Sequence, residues 1–310
     1  MKRHLSIAIA LLLVAAAVSG CSKSGTPTSP LGAGTTGTNG ATPLDVAQVA
    51  TVVVQSPVYI NEDQYTTTAQ VPMLLATPGA SIIRPIRWWR TIDSTQRVVT
   101  TVFSDPDSLG RPRAAVATIQ KHFTGWFNIF AGDTALADTA RRTVRKPLDD
   151  EWTRQLSFVR AKIDTAGKIS WRLVGTSGVT VTSNGATTQI QSVRIQTGTL
   201  DTTITDPQQM YKVHHILWFH HDAPVTVTVR TGRPDDIVVL YHGWERRPFK
   251  ANGDNTYTAL FADPDFGGLR HFGVNAFSRG TLWDDTAPYD SQAWVFPFGS
   301  RDRDCWVDRR

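Results

Sequence analysis

Two histidine pairs, His214-His215 and His220-His221, lie close together with Asp222 beside the second. Neutral imidazole is a common zinc ligand, and a closed zinc site takes about four ligands. Strand geometry argues against one ion here. Residues of equal parity share a face of a strand. His214 and His220 therefore point one way and His215 and His221 the other, each pair ~20 Å apart. Ligands at about 2.0–2.1 Å from a single metal cannot span that gap. Only a tight bend at Leu217-Trp218-Phe219 would bring them together; polar residues flanking a strand is the plainer reading. No metal is expected.

A second group is acidic: Asp263, Asp265, Asp284, Asp285 and Asp290. Calcium takes about six to eight oxygens, which loops at one end of a β-sandwich could supply. No D-x-D-x-D-G run is present, however, and Asp beside Pro and Gly is ordinary turn chemistry. The adjacent carboxylates Asp149-Asp150, Asp235-Asp236 and Asp284-Asp285 could suggest acid/base work. Neighbouring strand residues face opposite sides, so adjacency does not make a dyad across a substrate. The chain has no G-x-S-x-G, H-E-x-x-H or C-x-x-C. No catalytic residue, enzyme activity or cofactor is expected. An exported hydrolase or metal-dependent enzyme using His214–His221 or the acidic loop is the alternative.

The ten tryptophans argue for ordered structure. Trp88, Trp89, Trp126, Trp152, Trp171, Trp218 and Trp294 fall mostly within strand-like runs, which suits core packing. Trp244 and Trp283 lie at strand ends or loops. They are the candidate surface for a carbohydrate or another partner.

The elements that must position these residues read as strands. Short β-branched and aromatic runs bounded by turn residues recur along the chain. They span Arg97–Phe103, Arg113–His122, Thr124–Phe130 with a bend at Gly125, Lys168–Val174, Gly178–Thr182, Thr187–Gln196, Leu200–Thr205 and Val213–Phe219. Turns are predicted at Asp105-Pro106-Asp107, Ala166-Gly167, Ser177-Gly178, Asn252-Gly253 and Asp265-Phe266-Gly267-Gly268. The stretch Leu148–Lys162 fits both a strand and a helical stripe. Ala47–Val54 is apolar, and the segment up to Ala80 has room for a strand and a short helix. Val225–Val229 alternates cleanly, whereas Ile237–Tyr241 is a continuous apolar run, as in a strand buried on both faces. Tyr257–Phe261, Leu269–Ala276 and Gln292–Phe298 complete the set.

Pro224–Phe298 resembles a bacterial immunoglobulin-like or fibronectin-III-like β-sandwich. The residues carrying this resemblance are Val225–Val229, Asn252-Gly253-Asp254-Asn255-Thr256-Tyr257-Thr258-Ala259, and Gly267-Gly268-Leu269-Arg270-His271-Phe272-Gly273-Val274. Phe272 stands where such domains carry an aromatic, and Asp265-Phe266-Gly267 replaces Pro before Gly. The resemblance implies a fold and is nearly silent on function.

The N-terminus carries an address. Met1-Lys2-Arg3-His4 is a positive start, Leu5–Val18 an apolar run, and Ser19-Gly20 a pair of small residues before Cys21. This is the pattern of a secretory signal, too short for a spanning helix. Val18-Ser19-Gly20-Cys21 resembles the bacterial lipobox. That resemblance implies a diacylglyceryl group on the Cys21 thiol and cleavage before it, and the family likeness extends to exported lipoproteins without an assigned activity. Ser22 in place of Asp then favours the outer membrane, facing the periplasm or the surface.

The net charge of +5 falls to +3 without Lys2 and Arg3, and the basic residues are scattered, so no nucleic-acid partner is expected. With two cysteines in the chain and Cys21 lipidated, Cys305 has no intramolecular partner. The predicted organisation is mainly β: a signal at 1–20, a lipidated cysteine and Gly/Ser/Thr/Pro tether at 21–44, a β-rich or α+β domain at 45–184, an immunoglobulin-like sandwich at 185–300 and a charged tail at 301–310. The predicted role is a non-catalytic, lipid-anchored envelope protein presenting its sandwich to a protein or polysaccharide.

Overall fold

A computed structural model of the chain describes residues 32–35, 40–56, 71–72, 83–133, 141–161, 170–198, 200–213, 216–220, 223–242, 245–262 and 268–301. In chain order the elements are β1 (Gly32–Thr35), helix α1 (Pro43–Val54), β2 (Val71–Pro72), β3 (Ile83–Pro106), β4 (Pro112–Asp133), β5 (Arg141–Ala161) and β6 (Ser170–Ser183). Next come β7 (Ile190–Gln196), β8 (Asp201–Ile204), β9 (Met210–Lys212), β10 (Leu217–His220), β11 (Val225–Thr231) and β12 (Ile237–His242). The last are β13 (Glu245–Pro248), β14 (Lys250–Ala251), β15 (Thr256–Phe261), β16 (Gly268–Phe277), helix α2 (Arg279–Trp283) and β17 (Ser291–Arg301). The protein is mainly β and predominantly antiparallel.

The region β3–β6 is a meander of unusually long strands. β3 has 24 residues and β4 has 22, against about 3–10 in most proteins. Side-chain alternation explains the length. Along β5 the inward row is Val144, Lys146, Leu148, Asp150, Trp152, Arg154, Leu156 and Phe158, every second residue and all buried. That regularity settles Leu148–Lys162 as strand through Ala161, because a period of two buries the whole row on one face. Irregularities between Pro85 and Arg87, Ile92 and Ser94, and Arg154 and Leu156 bend the ladders. Gly125, where a bend was predicted, lies within β4, and a Cβ there would stand 2.0 Å from the Thr91 carbonyl oxygen. Ser177-Gly178, predicted as a turn, instead lies inside β6. Gly178 is required by close approach, since a Cβ would meet the carbonyl oxygens of Pro207 and Val295 within 3 Å.

The second region is a sandwich. One sheet runs β14-β15-β11-β7-β8, and the other contains β17-β16-β12-β13. With β7, β11, β12, β14, β15, β16 and β17 taken as strands A to G, these are the A-B-E-D and C-F-G sheets of the immunoglobulin arrangement. Their inner faces form one apolar core from Val193, Ile195, Val225, Val227, Val229, Leu240, Phe272, Val274 and Phe296. Phe272 occupies the predicted aromatic position, fully buried. The Asn252-Gly253 turn is present, with positive φ at Gly253 (92°) and Asn255 (63°) and the Asp254 carboxylate accepting from Thr256.

The predicted boundary at 184/185 does not separate two cores. β17 pairs with β6 through Gln292–Val295 and Val179–Thr182, so one sheet continues across it. The long meander also packs over the outer face of the C-F-G sheet, where Val239, Tyr241, Phe277, Ala293 and Val295 join Trp88, Phe127 and Leu148 in a second core. β12 is therefore buried on both sides, as its continuous apolar run required. Two pieces of the chain before β2 are described as regular structure. Gly32–Thr35 forms β1, parallel to Val98–Thr101, and α1 begins at Pro43 behind a Thr42–Asp45 capping box. The signal, Cys21, residues 22–31 and Cys305 lie outside the described residues. Among those described, no helix is long and apolar enough to cross a membrane.

Candidate functional site

At the end of the sandwich where the B–C and F–G loops meet, a cavity of about 430 Å³ opens between the sheets. Its lining comes from separate elements: Asp235 and Asp236 from the B–C loop, Phe249, Lys250 and Tyr257 from the opposing edge, and Arg279 and Trp283 from α2 in the F–G loop. The volume lies within the range of about 300–1,000 Å³ usual for ligand pockets.

Asp236 stands in the wall of this cavity with both carboxylate oxygens closed off from solvent. It is 4% exposed, and neither carboxylate oxygen has a donor in hydrogen-bonding geometry. The Thr231 hydroxyl stands near enough to favour the charged form, but it donates to the Arg233 carbonyl at 2.8 Å. Burial pushes the Asp236 carboxyl up to about 6; Thr231 and Arg233 oppose the rise, while Asp235 and Asp290 add to it. Buried polar groups in folded proteins are nearly always paired, so a buried carboxylate without a donor in hydrogen-bonding geometry calls for a physical account.

The loops around it are held firmly. Thr231 and the Tyr257 hydroxyl, the latter at 3.1 Å, both donate to the Arg233 carbonyl and fix the B–C loop. Burial pushes the Tyr257 phenol up to about 12, so it stays a donor at neutral pH. Asp290 accepts from the backbone N–H groups of Thr187 and Thr188, both at 3.0 Å, and from the Thr187 hydroxyl. The F–G loop is pinned by Lys146 on β5, 2% exposed. Its ammonium donates to the carbonyls of Gly280, Asp284 and Ala287 at 3.0, 2.6 and 2.7 Å. Three donors thus meet three acceptors. Burial pushes Lys146 down to about 8, with Asp284 and Asp285 opposing, so it remains mostly charged at neutral pH.

A second anchor is the buried Arg90 on β3. It donates to Asn275 Oδ1 at 2.6 Å, to the Tyr241 hydroxyl at 3.0 Å and to the Tyr289 hydroxyl at 3.1 Å. Tyr289, at the end of the F–G loop, donates in turn to Asp150 at 3.3 Å. Asp150 faces inward and Asp149 outward, where it meets His122 at 2.6 Å. The adjacent pair is split across the sheet, as strand geometry required.

Trp283 is not a surface platform. It is 3% exposed, because α2 turns it into the core while one edge lines the cavity. Trp244, His214, His215, His221, Asp222, Asp263 and Asp265 lie outside the described residues; His220 ends β10 and is exposed. The acidic loop is spent internally. Asp284 accepts from Thr286 and the Ala287 N–H, and Asp285 pairs with Arg142. Among the described residues, no three histidine, cysteine or acidic side chains stand together as a metal site. The residue that sequence reasoning missed is Asp236. Its only signal was its place in the B–C loop, directly before the apolar run of strand C.

Comparison of the chain with protein-family models, with curated proteins and with solved structures finds no match.

Proposed function

We propose that this chain is a recognition protein of the cell envelope, held to the membrane by lipid on Cys21, with the loop end of its sandwich as the binding end. The observation that carries the reading is the cavity at the loop end of the sandwich, lined from separate elements whose loops are held by Lys146, Asp290 and Tyr257. Rigid loops favour binding, because little side-chain or loop entropy is left to lose when a ligand arrives. The lipobox resemblance at Val18–Cys21 supplies the anchor, and two or three acyl chains suffice for stable attachment where one does not.

The test uses the full chain and its Cys21→Ser variant in cells. The wild type is expected in the membrane fraction. The variant is expected to lose membrane attachment and keep its signal uncleaved by the lipoprotein peptidase. Purified wild type in detergent should then be retained on isolated envelope polysaccharide or envelope protein. Membrane pelleting and normal processing of the variant would refute the anchor. Turnover of glycosidic, peptide or ester substrates that depends on Asp236 would replace binding with catalysis.

A further inference from the structure

We infer that the outward face of the meander, around the start of β3, binds a carboxylate-bearing polysaccharide through arginines stacked on aromatic rings. This surface lies apart from the loop-end cavity and uses neither Asp236 nor the rings of that cavity.

The arginines are scattered in the sequence, and the strand register gathers them. Along β4 the inward row runs through Phe127, Ile129 and Ala131, all buried, so Trp126, Asn128, Phe130 and Gly132 face outward. On one side of that outward row, Arg84 pairs with Gly132 and Arg87 with Phe130. On the other, Arg141 pairs with Gly132 and Arg145 with Asn128. Four cationic side chains thus share one face of three strands, about 10 Å across at the usual strand spacing. Arg84, Arg141 and Arg145 are exposed, and Arg87 is partly exposed. The same rows hold no carboxylate. Further along this face of β5 comes Asp149, which is engaged by His122 and Asn184.

Two of the guanidiniums are set in place before any ligand arrives. Arg145 lies over the Trp126 ring at 4.4 Å and Arg87 over the Phe130 ring at 4.8 Å. Stacking fixes the plane of a side chain that is otherwise flexible. Arg84 lies over Gly132, where a Cβ would stand 3.9 Å from its Nε. A guanidinium held this way offers its planar N–H fork to a carboxylate in two parallel bonds. The same geometry sorts the ligand classes. Trp126 and Phe130 each already carry a guanidinium, which competes with a nucleic-acid base or a neutral sugar for the ring. A chain that offers carboxylates at intervals competes with nothing. The segment leading back to Cys21 joins the sheet at Gly32, paired with Val98. Arg87 lies about 35 Å from Val98 along β3 at the usual rise per residue. The surface is therefore at the far end of the meander from an anchored N-terminus, which favours a polymer over the anchoring bilayer.

The experiment titrates the full chain by calorimetry, in a nonionic detergent without a sugar headgroup, at neutral pH and low ionic strength. The probes are an oligogalacturonate, its methyl ester, a single-stranded oligothymidylate, and micelles doped with phosphatidylglycerol. Saturable binding of the oligogalacturonate is expected, weakened by added salt and absent for the uncharged ester. Arg87→Gln combined with Arg145→Gln should weaken it at least about 10-fold. Arg145→Lys alone should weaken it about 3-fold, because lysine keeps the charge but not the stacked fork. Both variants should melt with the wild type, since these side chains lie outside the core. Arg145→Lys carries the same test should the double variant melt early. Equal binding of the methyl ester, tighter binding of the oligothymidylate or of the doped micelles, oligogalacturonate binding indifferent to the variants, or no oligogalacturonate binding would overturn the proposal. The double variant keeps the loop-end cavity intact, so its retention on isolated envelope reports on the proposed function separately.

Discussion

Lys146 and Arg90 on the long meander and Asp236 at the loop end of the sandwich are buried charges in different surroundings. On the meander, Lys146 and Arg90 point inward from strands and donate to acceptors across the layer, and Asp150 Oδ2 accepts from Tyr289. In the sandwich the core is apolar, and the carboxylate at its loop end, Asp236, has no hydrogen-bond donor. A buried charge with matched partners holds a structure together. One without them costs stability. The meander is thus a clamp on the F–G loop at the sandwich end.

The largest expected effect comes from breaking the clamp. Lys146→Met removes three charge-assisted bonds to the F–G loop and should destabilise the fold by about 3–5 kcal/mol in denaturant unfolding. Hydrogen exchange in 278–290 should accelerate more than in β3 or β4. The second effect has the opposite sign. Asp236→Asn keeps the shape but removes the charge, and should stabilise the fold at pH 8 by up to about 2 kcal/mol. The smallest is on the surface. Arg194 and Asp201 form an exposed bidentate pair on β7 and β8, and Asp201→Ala should leave the melting temperature unchanged within error. A large loss there would mean that exposed charge, not the inward rows, stabilises this protein.

How much of this was legible in the sequence depended on whether the cue was local. Val225–Val229 and Asn252-Gly253 are local cues and were read as the strand and turn they form. The run Ile237–Tyr241 announced burial on both faces but not what lay on the second face, because that layer comes from residues about a hundred positions earlier. Ser177-Gly178 looked like a turn since glycine is common in turns, whereas here it admits two neighbouring backbones. Gly32–Thr35 has no strand composition and is ordered by pairing with β3. Trp283 was placed on the surface from its loop position, but a five-residue helix turns it inward. Asp236 was dismissed with Asp235 as an adjacent pair. Its isolation depends on where the Thr231 hydrogen goes, and no sequence pattern records that.

The central claim is that Asp236 is a buried charge without a structural partner. It is tested most directly by the stability difference between Asp236→Asn and wild type from pH 8 to pH 4, without added ligand. The folded-state pKa of Asp236 is raised, to about 6 from 3.8. A raised carboxyl binds its proton more tightly in the folded state, so its cost is full above about pH 6 and fades as pH falls toward 4. The asparagine variant should therefore be the more stable protein at pH 8, and its advantage should shrink through pH 6 and vanish near pH 4. An asparagine variant less stable than wild type at pH 8, with the gap closing on acidification, would show that the carboxylate already has its partner within the fold.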